Sequence, residues 1–183
     1  NYLKKNTKNV SGIDSLYLKN HLNKKKIMFF ENVNEIKKNK VKFDIIISLG
    51  EIEHRYDPKT FIKKFLNILK PGGLLILRAP NYNNIYRLGL GKIFLRDDFR
   101  TSHNFYFDEK SLDYIFSKLG LKILIKKGLQ EYSINNFISY LKLKKRPKNL
   151  TKNIVNQADN KKFELNLENS LYSTSLMYVL KNV

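Results

Sequence analysis

The chain has 183 residues, 35 Lys and Arg against 16 Asp and Glu, a formal charge of +19, and an apolar share of 42 %. That length suits one domain, two at most, with material for a sizeable core, and the apolar share excludes wholesale disorder. No run approaches the ~18 to 20 apolar residues of a membrane span, and no basic-then-apolar opening marks a signal peptide.

The absence of cysteine excludes disulfides, thiolate-bound zinc and a cysteine nucleophile, and points to a reducing, cytoplasmic setting. The basic excess is mostly Lys, in runs such as Lys24-Lys25-Lys26. Sequence-specific nucleic-acid readers lean on Arg, so a solvated basic surface is favoured over a nucleic-acid groove. Asn1 stands where a translation start would carry Met, so the chain reads as a piece of a longer polypeptide.

In chain order, Val10 to Asp14 reads as a strand, Ser15 to Leu22 as a helix, and Lys26 to Phe30 as a second strand. Phe43 to Leu49 is a continuous run rich in β-branched residues, the pattern of a parallel strand buried on both faces. Asp57-Pro58 supplies an N-cap and a proline at the first helical position. Phe61, Ile62, Phe65, Leu66 and Leu69 then share one helical face, which Pro71-Gly72-Gly73 is expected to end. Leu74 to Leu77 is the next strand, so 43–80 reads as a βαβ crossover.

Residues 81–103 read as an irregular insert, and Phe107 to Leu119 as a helix with Asp108 as N-cap. Leu121 to Ile125 reads as a strand, residues 142–162 as a basic loop or lid, and Ser170 to Leu180 as a last strand. This alternation predicts one α/β domain with a doubly wound, mostly parallel sheet and an antiparallel edge, where 121–126 and 171–180 pair. Gly89-Leu90-Gly91 follows no strand and is not a nucleotide loop.

The segment FDIIISLGEIEHRYDPKTFIKKFLNILKPGGLLILRAPN, residues 43–81, resembles the second half of class I S-adenosylmethionine-dependent methyltransferases. The shared pattern is Phe-Asp, an apolar strand, Glu-His, Asp-Pro, an amphipathic helix, Leu-Lys-Pro-Gly-Gly, a strand and Pro-Asn. Ser102 to Phe107, with its histidine, and Leu119-Gly120-Leu121 extend the likeness. Gln130 to Tyr140 is similar to a subgroup associated with surface-polysaccharide and sugar modification. The resemblance implies a Rossmann-like fold, S-adenosylmethionine as cofactor, and methyl transfer to a small-molecule or saccharide acceptor.

Methyl transfer from a sulfonium is an in-line displacement, so such an enzyme chiefly positions its acceptor and removes a proton. The resemblance implies that Asp14, at the end of its strand, accepts the ribose hydroxyls; the alternative is a cap on the following helix. Asn32 is expected at the adenine amino group, or else as a turn residue. Ser48, Leu49 and Gly50 are expected beside the cofactor.

Glu53 and His54 are the candidate catalytic pair, because histidine is the residue type that exchanges protons near neutrality; the alternative is that they orient the loop. Asn81 and His103 are expected at the acceptor. Arg78, Arg87, Arg96 and Arg100 surround the insert, where they can meet an anionic substrate group or solvent. Some members that methylate quinone-ring hydroxyls hold a divalent metal with Glu-x-x-Glu-His. Here Gly50 takes the first position and Glu51 falls one place late, so no metal is assigned.

The family's Gly-rich turn after its first strand should precede Asp14 by about one short helix. Residues 1–9 contain no glycine and read as the end of that helix, so the first strand and its loop are expected to be missing and the chain N-terminally truncated. Loss of that strand should leave two strand edges unpaired. Two alternatives stay open: a non-catalytic scaffold that keeps the fold, and a basic nucleic-acid binder or RNA methyltransferase.

Overall fold

A computed structural model describes Thr7 and residues 9–13, 16–25, 27–147 and 154–183. Asp14, most of residues 1–9 and the middle of the expected lid lie outside the described residues. The first elements are β1 (Ser11–Ile13), α1 (Leu16–Lys24), β2 (Met28–Phe30), α2 (Val33–Lys38) and β3 (Phe43–Leu49). A 3₁₀ turn (Ile52–His54) leads to α3 (Pro58–Leu66), β4 (Leu69–Pro80), α4 (Ile85–Leu90), α5 (Lys92–Asp98) and α6 (Glu109–Lys118). β5 (Leu121–Leu129), α7 (Ile134–Leu143), α8 (Gln157–Ser170) and β6 (Ser175–Asn182) complete the fold.

Two sheets form: β1 with β2, and a second in the order β3-β4-β6-β5. β1 pairs parallel with β2, and β3 parallel with β4. β6 runs antiparallel to both β4 and β5. The antiparallel strand therefore stands one place in from the edge, and β5 is the edge. Among the described residues no strand pairs with the outer side of β3.

The βαβ unit follows its punctuation. Asp57 Oδ1 accepts from the Thr60 N–H at 3.0 Å, Pro58 opens α3, and Ile62 and Phe65 are buried. The helix stops at Leu66, with Asn67 as its C-cap, short of the expected Leu69. Leu69 instead pairs with Phe43 and begins β4. Pro71-Gly72-Gly73 lies inside the strand, where the register shifts between Phe43 and Ile45. Gly72 has φ +71° there, a conformation that glycine takes without strain.

One face of the larger sheet carries the core. Leu75 and Leu77 of β4 and Leu176, Tyr178 and Leu180 of β6 pack with Ile62 and Phe65 of α3 and Leu112 and Phe116 of α6. Each fully buried side chain of this size contributes about 1.5–3 kcal/mol. The opposite face is far more open: Ile45, Ile47 and Leu49 on β3 are 48 %, 45 % and 52 % exposed. Register places Ile47, Ile76, Val179 and Ile125 in one row across all four strands.

The insert is more ordered than expected. Asn84 caps α4 by accepting from the Arg87 N–H at 3.0 Å, and α5 follows after Gly91. Tyr86, Leu90 and Phe94 make a second core with Tyr140 of α7. The expected loop over 142–162 is helical at both ends, in α7 and in α8 from Gln157. α8 was hidden because its first two turns, Gln157 to Lys162, are almost wholly polar and show no apolar stripe. Among the described residues no helix is long and apolar enough to cross a membrane.

Candidate active site

The carboxyl ends of β3 and β4 are where an open α/β sheet presents a ligand site. At the end of β3 the Gly50 N–H donates to the Arg78 carbonyl at 3.0 Å, and Gly50 has φ +70°. A β-carbon there would stand 3.4 Å from Arg78 Nη2 and 3.5 Å from Glu53 Oε1, an ordinary contact, so it is the turn that favours glycine. The chain then enters the 3₁₀ turn, anchored by fully buried Ile52.

This turn is clamped to the segment before α6. The Glu53 carbonyl accepts from the N–H groups of Asn104 at 2.8 Å and Phe105 at 3.2 Å. Asn104 Nδ2 donates to the His54 carbonyl at 2.9 Å. His54 Nδ1 lies 2.7 Å from the Ser102 carbonyl oxygen. A carbonyl only accepts, so Nδ1 carries a proton, and in the neutral ring the lone pair is on Nε2.

The clamp brings His103 to His54, with the ring centres 4.8 Å apart and edge-on. One ligand atom from each of Glu53, His54 and His103 lies within 4.8 Å of the other two. Glu53 is 3 % exposed. Its Oε2 has no hydrogen-bond partner, and neither has His103 Nδ1. Burial pushes the Glu53 carboxyl up from its ordinary value, against the pull of its own backbone, His54 and Arg78. Burial, with His54 and Arg100 nearby, pushes the His103 imidazole down. Arg78 is itself paired with Glu131.

Other expected site residues fare differently. Ser48 is buried with an orphaned Oγ, and Leu49 beside it is half exposed. Ser48 faces the core side of β3 beside Leu77, opposite to Leu49, so Leu49 and the Gly50 turn are what the end of β3 presents outward. Asn32 caps α2: its Oδ1 accepts from the N–H groups of Asn34 at 2.9 Å and Glu35 at 3.1 Å. That occupies the carbonyl expected to meet adenine, and the turn alternative describes Asn32 better.

Asn81 corrects a second expectation. It is buried, and its amide donates to the carbonyls of Leu171 at 2.8 Å and Ser173 at 2.9 Å. It ties the end of β4 to the approach to β6 and presents nothing to an acceptor.

The arginines divide. Arg87 is buried against Asp98 at 2.6 Å, with its guanidinium 4.0 Å from the Tyr82 ring centre and near Phe99 and Tyr106. Arg96 donates to the Lys144 carbonyl at 3.3 Å. Ser102 and Asn104, which build the clamp, were not singled out by sequence. Polar residues flanking a histidine are the only sign they give.

A methyltransferase-domain family model matches residues 1–125. Comparison with curated proteins finds no match. Among solved structures, the chain is similar to an S-adenosylmethionine-dependent methyltransferase from Clostridium acetobutylicum (TM-score 0.55, 16 % identity, 98 % of this chain and 77 % of that one). A SAM-dependent methyltransferase from Thermotoga maritima matches with TM-score 0.57 and 14 % identity over 95 % of this chain and 73 % of that one. The plantazolicin methyltransferase BamL, solved with a triazolic desmethylPZN analog and SAH, matches with TM-score 0.54 and 14 % identity over 99 % and 71 %. The family model covers more than half of the chain, and the solved structures share its fold: the chain belongs to the methyltransferase-domain family.

Proposed function

We propose that the chain transfers the methyl group of S-adenosylmethionine to a hydroxyl of a small-molecule or saccharide acceptor. The observation that carries this is the convergence of Glu53, His54 and His103 at the carboxyl end of β3, just past Ser48, Leu49 and Gly50. The cofactor supplies an electrophilic methyl on sulfur. Leu49 and Gly50 would line one side of it, with Asp14 at the ribose.

The acceptor would lie against His54 and His103, with the His54 Nε2 lone pair and the Glu53 carboxylate activating its hydroxyl. An open groove of about 430 Å³, lined by Tyr56, Pro58, Phe105, Phe107 and Ile115, does not include Glu53, His54 or His103. Its apolar lining from Tyr56, Phe105 and Phe107 suits the carbon skeleton of a small acceptor.

The test has two arms. Calorimetry with S-adenosylmethionine reads binding, and transfer of labelled methyl to a panel of hydroxylated small molecules and saccharides reads activity. Asp14→Ala is expected to weaken binding by about 1–3 kcal/mol, the worth of charge-assisted hydrogen bonds. His54→Ala should leave binding within about twofold and abolish transfer. Binding with no transfer to any hydroxyl would reject the proposed acceptor class.

A further inference from the structure

We propose that Glu53, His54 and His103 form a binding site for a divalent transition-metal ion. Three donors of the right kind converge from two separate segments, with one ligand atom from each inside 4.8 Å. The spacing is wider than in a bound site, and an ion would draw the side chains together. Side-chain rotation would supply that movement, because the backbone on either side of His103 is clamped.

The hydrogen bonding separates this cluster from an ordinary packed histidine pair. Buried polar atoms almost always find partners. Here Glu53 Oε2 and His103 Nδ1 are both buried and both unpartnered. A single proton-accepting nitrogen would serve as a base. A carboxylate oxygen and a ring nitrogen left empty beside a third available lone pair are what a cation would use.

The supporting hydrogen bond is also in place. A metal-binding histidine usually donates its other ring N–H to a carbonyl or carboxylate, which fixes ring and tautomer. His54 does so through Nδ1 to Ser102 at 2.7 Å, which leaves Nε2 as its ligand atom. The main-chain bonds from Asn104 and Phe105 to Glu53 hold the two segments at a fixed separation.

Two imidazoles and one carboxylate select a borderline ion such as Zn²⁺, Co²⁺ or Ni²⁺ over Mg²⁺ or Ca²⁺, which take oxygen donors. Three protein ligands leave a position open. With the ion bound, an acceptor hydroxyl taking that position would be made more acidic and would release its proton to water; the base role of His54 and Glu53 belongs to the metal-free site. This use of the ion rests on the proposed reaction; the binding of the ion does not.

The test is a titration of the chain with Co²⁺, followed by its visible absorption, and with Zn²⁺ by calorimetry. One ion per chain is expected. Glu53→Gln and His103→Asn should each weaken binding at least tenfold. The chain's third histidine, His21, is exposed on α1, and His21→Asn should change nothing. Far-UV circular dichroism checks each variant's fold; were Glu53→Gln to unfold, His103→Asn, on the loop, still decides.

Absence of ion binding by the unaltered chain would overturn the proposal, as would binding that survives His103→Asn. Labelled methyl transfer is measured in parallel. One ion bound by an inactive chain leaves the site standing and removes the reaction. Transfer without any ion bound does the reverse.

Discussion

Arg87 carries a permanent charge into a buried position on α4, where Asp98 pairs with it and Tyr82, Phe99 and Tyr106 present their rings. Its Nε and Nη1 have no hydrogen-bond partner, so the aromatic faces and Asp98 together offset its desolvation. Removing the two partners should therefore be unequal. Asp98→Ala leaves a buried unpaired cation and is expected to cost about 2–3 kcal/mol. Arg87→Met keeps the packing, removes the charge, and leaves Asp98 partly exposed to water, so it should cost less. Urea unfolding of both variants checks the order; the reverse order would show that Arg87 is held chiefly by the rings rather than by Asp98. At this scale the sequence is least legible. Asn32 and Asn81 have side chains suited to a cofactor or substrate, and both face their own backbone. Nothing in an isolated asparagine distinguishes those uses, because capping and ligand binding employ the same amide.

Among the elements, α6 shows how local chemistry sets a boundary. Asp108 Oδ1 accepts from the Ser111 N–H at 2.9 Å, and Ser111 Oγ accepts in turn from the Asp108 N–H at 2.9 Å. The hydrogen bond from the Ser111 side chain comes first in lowering the Asp108 carboxyl below its ordinary 3.8. A depressed carboxyl stabilises the fold above its unfolded pKa and loses that contribution as pH falls through the folded one. Asp108→Ala should cost about 1 kcal/mol at neutral pH, and its difference from the unaltered chain should shrink steadily below about pH 4. Melting both proteins across pH 3–7 checks this; a difference constant down to pH 3 would exclude the charged cap. Such caps are legible because Asp-x-x-Ser is written in adjacent residues. The unit from β3 to β4 was legible for the same reason. The convergence of His103 on Glu53 was not, since it depends on the path of the chain through two short helices and a loop, and no local pattern records that path.

For the whole molecule, the two faces of the larger sheet are the contrast that matters. One packs against α3 and α6, while the other exposes Ile45, Ile47, Leu49 and Ile125. Apolar surface in this arrangement favours association. The 183-residue chain should bind a hydrophobic dye and self-associate with rising concentration. Ile47→Lys should reduce both while changing stability by no more than about 0.5 kcal/mol, as for surface substitutions generally. Light scattering and dye titration test this; unchanged association would place the contact elsewhere. The α/β class and the parallel crossover were readable from alternation, but the order β3-β4-β6-β5 was not, since nearness along the chain does not say which strand lies between which. That order has a consequence for synthesis. β6 follows every other described element in the sequence yet stands between β4 and β5, with Leu176, Tyr178 and Leu180 fully buried. A growing polypeptide can build the crossover from β3 to β4 early, but β5 has no sheet to join until β6 has left the ribosome. The nascent chain must therefore wait with two strand edges open, and a ribosome stalled before Ser175 should hold a chain that a protease cuts readily, closing into a resistant form only when the last strand emerges.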